Sequence, residues 1–101
     1  MDLDLTALIY LIGLNEAGFG FRTYSKQEKM DLMHVGICTL LAPAGYYQFS
    51  HRDEQNWPHF NPIQSLPVLN ENEQKHLLKE SIIDYFLAHE YVSQEMLLSA
   101  D

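Results

Sequence analysis

The sequence is poor in cysteine and in basic residues. Its single cysteine, Cys38, lies within an apolar stretch, so no disulfide can form inside the chain and we expect a reducing compartment, the cytoplasm. Six lysine and arginine residues stand against fourteen acidic residues, and the formal net charge is -8. Binding to phosphates needs a basic surface, so this composition disfavours a nucleic acid as the partner.

Segments that cross or enter a membrane are also not expected. The most apolar segment, Leu3 to Leu14, would extend about 18 Å as a helix, whereas a bilayer core is about 30 Å thick. Its start carries Asp2 and Asp4 rather than the basic residues of a secretion signal. The segment therefore predicts a helix buried inside a protein.

Motifs for catalysis and cofactor binding are missing. The sequence contains no Cys-x-x-Cys, no Gly-x-Ser-x-Gly and no phosphate-binding loop, and its histidines do not form a His-x-x-x-His pair. We therefore predict no cofactor and no metal, and the sequence favours a noncatalytic protein over an enzyme. A chain of 101 residues has the size of one domain, so residues 1–101 are predicted to form a single domain.

Helical patterns occupy three segments, residues 3–16, 25–42 and 70–89. Ser25 and Asn70 are helix-capping residues, and each is followed three positions later by a glutamate, as in a capping box. The first helix is apolar on almost every side, so other segments of the protein or a partner must pack around it.

Two details of these helices bear on packing. The first helix carries a stripe of small residues that would let another backbone come close, namely Thr6, Gly13 and Ala17. The second helix gathers its main apolar face from Met30, Met33, Ile37, Leu40 and Leu41.

Residues 46–53 alternate between aromatic and polar side chains and predict a strand. Its partner within the chain would be residues 19–24 or 63–69, and a second copy of the protein is the alternative. Residues 54–69 contain three prolines and predict an ordered irregular connection, because proline removes a backbone donor and favours extended geometry.

A short C-terminal helix is predicted after Ser93, and it holds Met96, Leu97 and Leu98. The fold class is therefore mainly α, or helix-rich α+β. It has three main helices, a short C-terminal helix and one or two short strands near residues 46–53.

One cluster of side chains is the candidate ligand-binding site: His51, Arg52, Asp53, Trp57 and His59. On a strand, His51 and Asp53 point the same way, so they would share a metal ion or the carboxylate would orient the imidazole as a base. His59 would then be a third ligand. The structural alternative is a polar strand end in which Asp53 bonds local backbone amides and Trp57 covers the core.

Two hypotheses for the function follow. The first is a noncatalytic protein-interaction module acting as a homodimer, because 47% of the residues are hydrophobic and a monomer of this size has limited interior. Its candidate interface residues are Leu5, Ile9, Ile12, Met96 and Leu97. The second hypothesis is a small-molecule or metal-binding protein, or an enzyme, that uses His51, Asp53, Trp57 and His59.

Overall fold

The computed structural model describes residues 3–89 and has three helices and one two-stranded antiparallel sheet. The elements are α1 (Leu3–Ala17), α2 (Lys26–Leu41), β1 (Tyr47–Arg52), β2 (Pro58–Pro62) and α3 (Glu71–Ala88). Helix-rich α+β is therefore the fold class. The predicted C-terminal helix with Met96, Leu97 and Leu98 lies outside the described residues.

The chain forms two compact units, and the division falls between Val68 and Leu69. The first unit contains α1, α2 and the hairpin of β1 and β2. The second contains α3. No helix in the described part of the chain is both long and apolar enough to cross a membrane.

Capping boxes start α2 and α3, as the sequence predicts. The Ser25 hydroxyl accepts from the Glu28 amide at 3.1 Å, and the Glu28 carboxylate accepts from the Ser25 amide at 2.9 Å. Asn70 and Glu73 make the same reciprocal pair at 2.8 and 3.1 Å. Each box satisfies two of the amides that a helix start leaves without a partner within the helix.

The helices α1 and α2 pack with their backbones almost in contact. A Cβ atom at Gly13 would overlap the carbonyl oxygen of Leu32, and one at Gly36 would overlap the carbonyl oxygen of Ile9. Only glycine permits this separation, so the prediction that the small stripe of α1 admits another backbone is confirmed at Gly13.

This close contact decides which side of α2 is buried. Leu32, Val35 and Cys38 are 0–3% exposed, whereas Met30 is 59% exposed. Of the residues predicted on the main apolar face, Leu40 and Leu41 are buried, but Met30 is not. Gly36 lies on the side of Leu32 and Val35, and α1 packs there because that side lets it come closer.

The strand β1 pairs with β2 inside the region predicted to be an irregular connection. Tyr47 pairs with Pro62 and Arg52 with Pro58, and the register shifts between Phe49 and His51. Neither of the two predicted partner segments forms this pair. The prolines stand at the first and last positions of β2, and a sheet of two strands tolerates them because each strand has an open edge.

The core of the first unit joins the helices to the hairpin. A cluster of Ala17, Tyr24 and Leu32 is buried, and four partly buried aromatic and aliphatic side chains pack against it: Tyr10, Leu14, Phe19 and Trp57. Trp57 belongs to the hairpin, so this cluster fixes the position of the predicted ligand-binding residues on α1 and α2.

Candidate functional site

The predicted cluster forms at the turn that joins β1 to β2. The Oδ1 atom of Asp53 accepts from the backbone amides of Gln55 at 2.9 Å and of Trp57 at 3.0 Å. Asn56 closes the turn in the left-handed region with a φ of 68°, a conformation that asparagine tolerates better than most residues. These bonds make Asp53 the organising residue of the turn.

The second oxygen of Asp53 bonds to His59 rather than to His51. Oδ2 lies 2.7 Å from Nε2 of His59. This hydrogen bond, together with those from the backbone amides of Trp57 and Gln55, lowers the pKa of Asp53 below its ordinary value. The carboxylate therefore stays ionised at neutral pH and orients the imidazole of His59.

His51 lies beside this pair without joining it. Its ring stacks on that of His59, with 4.9 Å between the ring centroids and 7° between the planes. Its Nδ1 lies 2.8 Å from the hydroxyl of Ser50. The proposed sharing of one metal ion by His51 and Asp53 has no support, since among the described residues no three His, Cys, Asp or Glu side chains gather to hold a metal.

Arg52 caps the C-terminal end of α1. Its guanidinium donates to the carbonyl of Glu16 at 2.7 Å and to that of Ala17 at 2.9 Å, and it also donates to the carbonyl of Asn56 at 2.9 Å. The last turn of α1 contains no basic residue of its own. Arg52 thus supplies, from the hairpin, the cation that a helix C-terminus attracts.

Trp57 packs on Phe19, with 4.8 Å between the ring centroids. It therefore attaches the hairpin to the loop that follows α1. The structure brings the five predicted residues together, but hydrogen bonds and packing within the hairpin and with α1 engage most of their groups. These contacts are the ones that the structural alternative requires.

A cleft of about 290 Å³ opens beside the cluster, between α2 and the hairpin. Its walls combine residues from both elements: Glu28, Asp31, His34, Val35, Asp53, Trp57, Pro58, His59 and Phe60. Sequence reasoning missed the contribution of α2. The spacing of Glu28, Asp31 and Val35 at i, i+3 and i+7 places them on one helix face, but nothing in the sequence aims that face at the hairpin.

The acidic groups of this cleft are already engaged. Glu28 bonds to the backbone and hydroxyl of Ser25 and to the guanidinium of Arg22 at 3.0 Å, and these bonds lower its pKa. Asp31 accepts from the amide of Gln27 at 3.0 Å. The lowered pKa keeps the Glu28 carboxylate ionised at neutral pH, so Glu28 is a poor proton donor there.

Cys38 does not supply a nucleophile. The thiol is buried, and this burial raises its pKa to about 11. The Sγ atom lies 3.4 Å from Nε2 of His34. The thiol form therefore prevails at neutral pH, as in a structural cysteine.

Three of the predicted interface residues, Leu5, Ile9 and Ile12, are only 2–3% exposed. They offer no side chain to a partner in this conformation. The other two, Met96 and Leu97, lie outside the described residues. An interface on α1 would therefore use different side chains.

Three exposed residues of α1, Ala7, Leu11 and Asn15, stand at i, i+4 and i+8, and we call them the outer face of α1. None of the three carries a charge. Leu11 is 49% exposed, whereas the neighbouring Leu14 is half-buried against the core. Phe21, which is 94% exposed, borders the same hollow as Leu11 and Leu14.

A second apolar surface lies between α1 and α2. We call it the methionine groove, and it has a volume of about 600 Å³. Its walls are Thr6, Ala7, Tyr10, Lys26, Lys29, Met30 and Met33. The sequence analysis placed the two methionines on the main apolar face of the second helix, but it did not identify a groove there.

Comparison of the chain with models of protein families, with curated proteins and with solved structures finds no match.

Proposed function

We propose that the chain is a noncatalytic protein-interaction module that acts as a homodimer through the outer face of α1. The observation that carries this proposal is the uncharged exposed side of that helix. Between Asp4 and Glu16 the sequence has no ionisable group except the Tyr10 hydroxyl, and Leu11 remains 49% exposed. Exposed apolar side chains on a face without charge are typical of an interaction surface.

A second copy of the chain is the partner that this face suits. In a two-fold symmetric contact each residue meets the same surface patch on the other protomer. Most surfaces of a chain with a net charge of -8 would bring like charges together in such a contact. The outer face of α1 avoids that repulsion, and its residues at i and i+4, Ala7 and Leu11, can interdigitate with those of another helix.

The experiment compares the association of the wild type with that of Leu11→Glu by sedimentation velocity. We expect a dimer for the wild type at tens of micromolar. The glutamate removes apolar contact from both protomers and sets two carboxylates near each other, so the dissociation constant should rise about 100-fold or more.

The matched control is Leu66→Glu. Leu66 is 45% exposed, so the change of side chain and the exposure are nearly the same, but it lies in the segment after β2. We expect this variant to associate like the wild type. Equal weakening by both substitutions would show that net charge, and not the outer face, controls association.

The cleft beside Asp53 carries a second candidate function, binding of a small molecule. It is supported by the aromatic side chains of Trp57 and Phe60, which line the cleft together with carboxylates. A thermal-shift screen would test it against a His51→Ala, His59→Ala variant. No ligand response in the wild type would dismiss this candidate.

The proposal also places the protein in the cytoplasm. Its support is the free, buried thiol of the single cysteine, Cys38, which agrees with a reducing compartment. Fractionation of cells that express a tagged chain would test this placement.

A further inference from the structure

The methionine groove differs from the outer face of α1 because cations border it. Tyr10, Met30 and Met33 provide apolar surface, and Met30 is 59% exposed. Methionine is unbranched and polarisable, so it adapts to the shape of an apolar partner. Thr6 and Ala7 are small and leave room for a bound backbone.

Lys26 and Lys29 border this apolar surface and form no ion pair with any side chain that the structure describes. The ion pairs within the described residues engage Arg22 and Lys75 among the basic side chains, and neither groove lysine takes part in one. Two unpaired cations beside an apolar groove are unusual in a chain with fourteen acidic and six basic residues. They favour a partner that carries negative charge next to apolar side chains.

A second copy of this chain is a poor partner for the methionine groove. A two-fold contact between two such grooves would bring the lysine pairs of the two protomers towards each other. Like charges in an interface weaken it and act against that pairing. The charge on the groove therefore points to a different protein.

We infer that the methionine groove binds an acidic amphipathic helix of another protein. The apolar side chains of that helix, at i, i+3, i+4 and i+7, lie on Tyr10, Met30 and Met33. Its flanking carboxylates pair with Lys26 and Lys29.

This inference rests on the proposed role as an interaction module, but it does not rest on self-association. The outer face and the groove share Ala7, and Leu11 lies outside the groove. The monomeric Leu11→Glu variant therefore separates the two proposals. It should bind the acidic helix as the wild type does.

The test uses two synthetic helical peptides of about 14 residues, or about four turns. Both have leucine at i, i+3, i+4 and i+7. One has glutamate at the flanking positions and the other has lysine there. Fluorescence anisotropy of each labelled peptide gives its dissociation constant at low and at raised salt.

We expect the glutamate peptide to bind the wild type and to bind less tightly as salt increases, because salt screens exposed charges. In a Lys26→Glu, Lys29→Glu variant, binding of this peptide should weaken about tenfold or more, and the lysine peptide should now be preferred. The lysines are exposed, so the circular dichroism spectrum should not change.

The control is a Lys75→Glu, Lys79→Glu variant, which changes the net charge by the same amount on α3. We expect it to bind the glutamate peptide like the wild type. Absence of binding by the wild type, equal binding of both peptides, or equal loss in both double variants would overturn the inference. A change in self-association without peptide binding would overturn it too, since a second copy would then occupy the groove.

Discussion

Removal of the Arg52 side chain should destabilise the C-terminal end of α1, although Arg52 lies 35 residues after Ala17 in the sequence. In the folded chain the guanidinium donates to the carbonyls of Glu16, Ala17 and Asn56 at 2.7–2.9 Å. An Arg52→Ala variant leaves the helix end without its cation. It also removes the hydrogen bonds that join the hairpin to α1.

The size of the effect follows from these contacts. Arg52 is exposed, so each of its bonds competes with water and contributes well below the value of a buried charged bond. With a net value of about 0.5 kcal/mol for each of the three bonds, and a similar value for the charge at the helix end, the loss is about 2 kcal/mol. For a domain of this size that loss lowers Tm by about 10 °C.

Urea denaturation of Arg52→Ala, Arg52→Lys and Lys29→Ala measures this loss. Lysine keeps the cation but not the planar fork, so Arg52→Lys should lose about half as much stability as Arg52→Ala. Lys29 is an exposed cation of α2 without an ion pair to any described residue, and its removal should change stability by less than about 0.5 kcal/mol.

Hydrogen exchange gives a second readout of the same contact. Amides in the last turn of α1 should exchange faster in Arg52→Ala, because a helix end without a cap frays. The reasoning is refuted if Arg52→Ala is no less stable than Lys29→Ala and exchange in that turn is unchanged.

Two further substitutions test the packing of the helices and the turn. Gly13→Ala should destabilise the fold by about 3 kcal/mol, because the new Cβ meets the Leu32 carbonyl. Gly18→Ala, where a Cβ has open space and only the positive φ is strained, should lose about 1 kcal/mol. Equal losses in denaturation midpoints would contradict the close backbone contact. Asp53→Asn should remove the part of the pH dependence of folding stability that comes from Asp53. The lowered pKa of Asp53 gives stability that is present above the ordinary aspartate pKa and lost as pH falls through the folded value. Wild type and variant should therefore converge in acid, and parallel pH profiles would contradict the bond to His59.

The sequence alone was sufficient to predict the secondary-structure elements that local contacts define. The starts of α2 and α3 were predictable because Ser25 and Glu28, like Asn70 and Glu73, are three positions apart and interact within one turn. The strand β1 was predictable from its alternation. The paired strand β2 was not, since Pro58 and Pro62 normally count against a strand and only its place in a two-stranded sheet makes them acceptable.

Contacts between distant segments were beyond prediction from the sequence. The burial of Leu32 and Val35 in place of Met30 depends on Gly36 meeting α1, which periodicity alone does not reveal. The role of Arg52 depends on a helix end 35 residues away. In the candidate site, the sequence grouped Asp53 and Trp57 in one cluster, and the structure brings them together at one turn. The sequence paired Asp53 with His51, but Asp53 bonds to His59 because the turn reverses the chain.

The proposed function depends on self-association through the outer face of α1. Sedimentation velocity of the wild type and of Leu11→Glu, at tens of micromolar, measures this association. We expect a dimer for the wild type and a folded monomer for the variant. A wild type that sediments as a monomer at that concentration, or a Leu11→Glu variant that dimerises equally well, would contradict it.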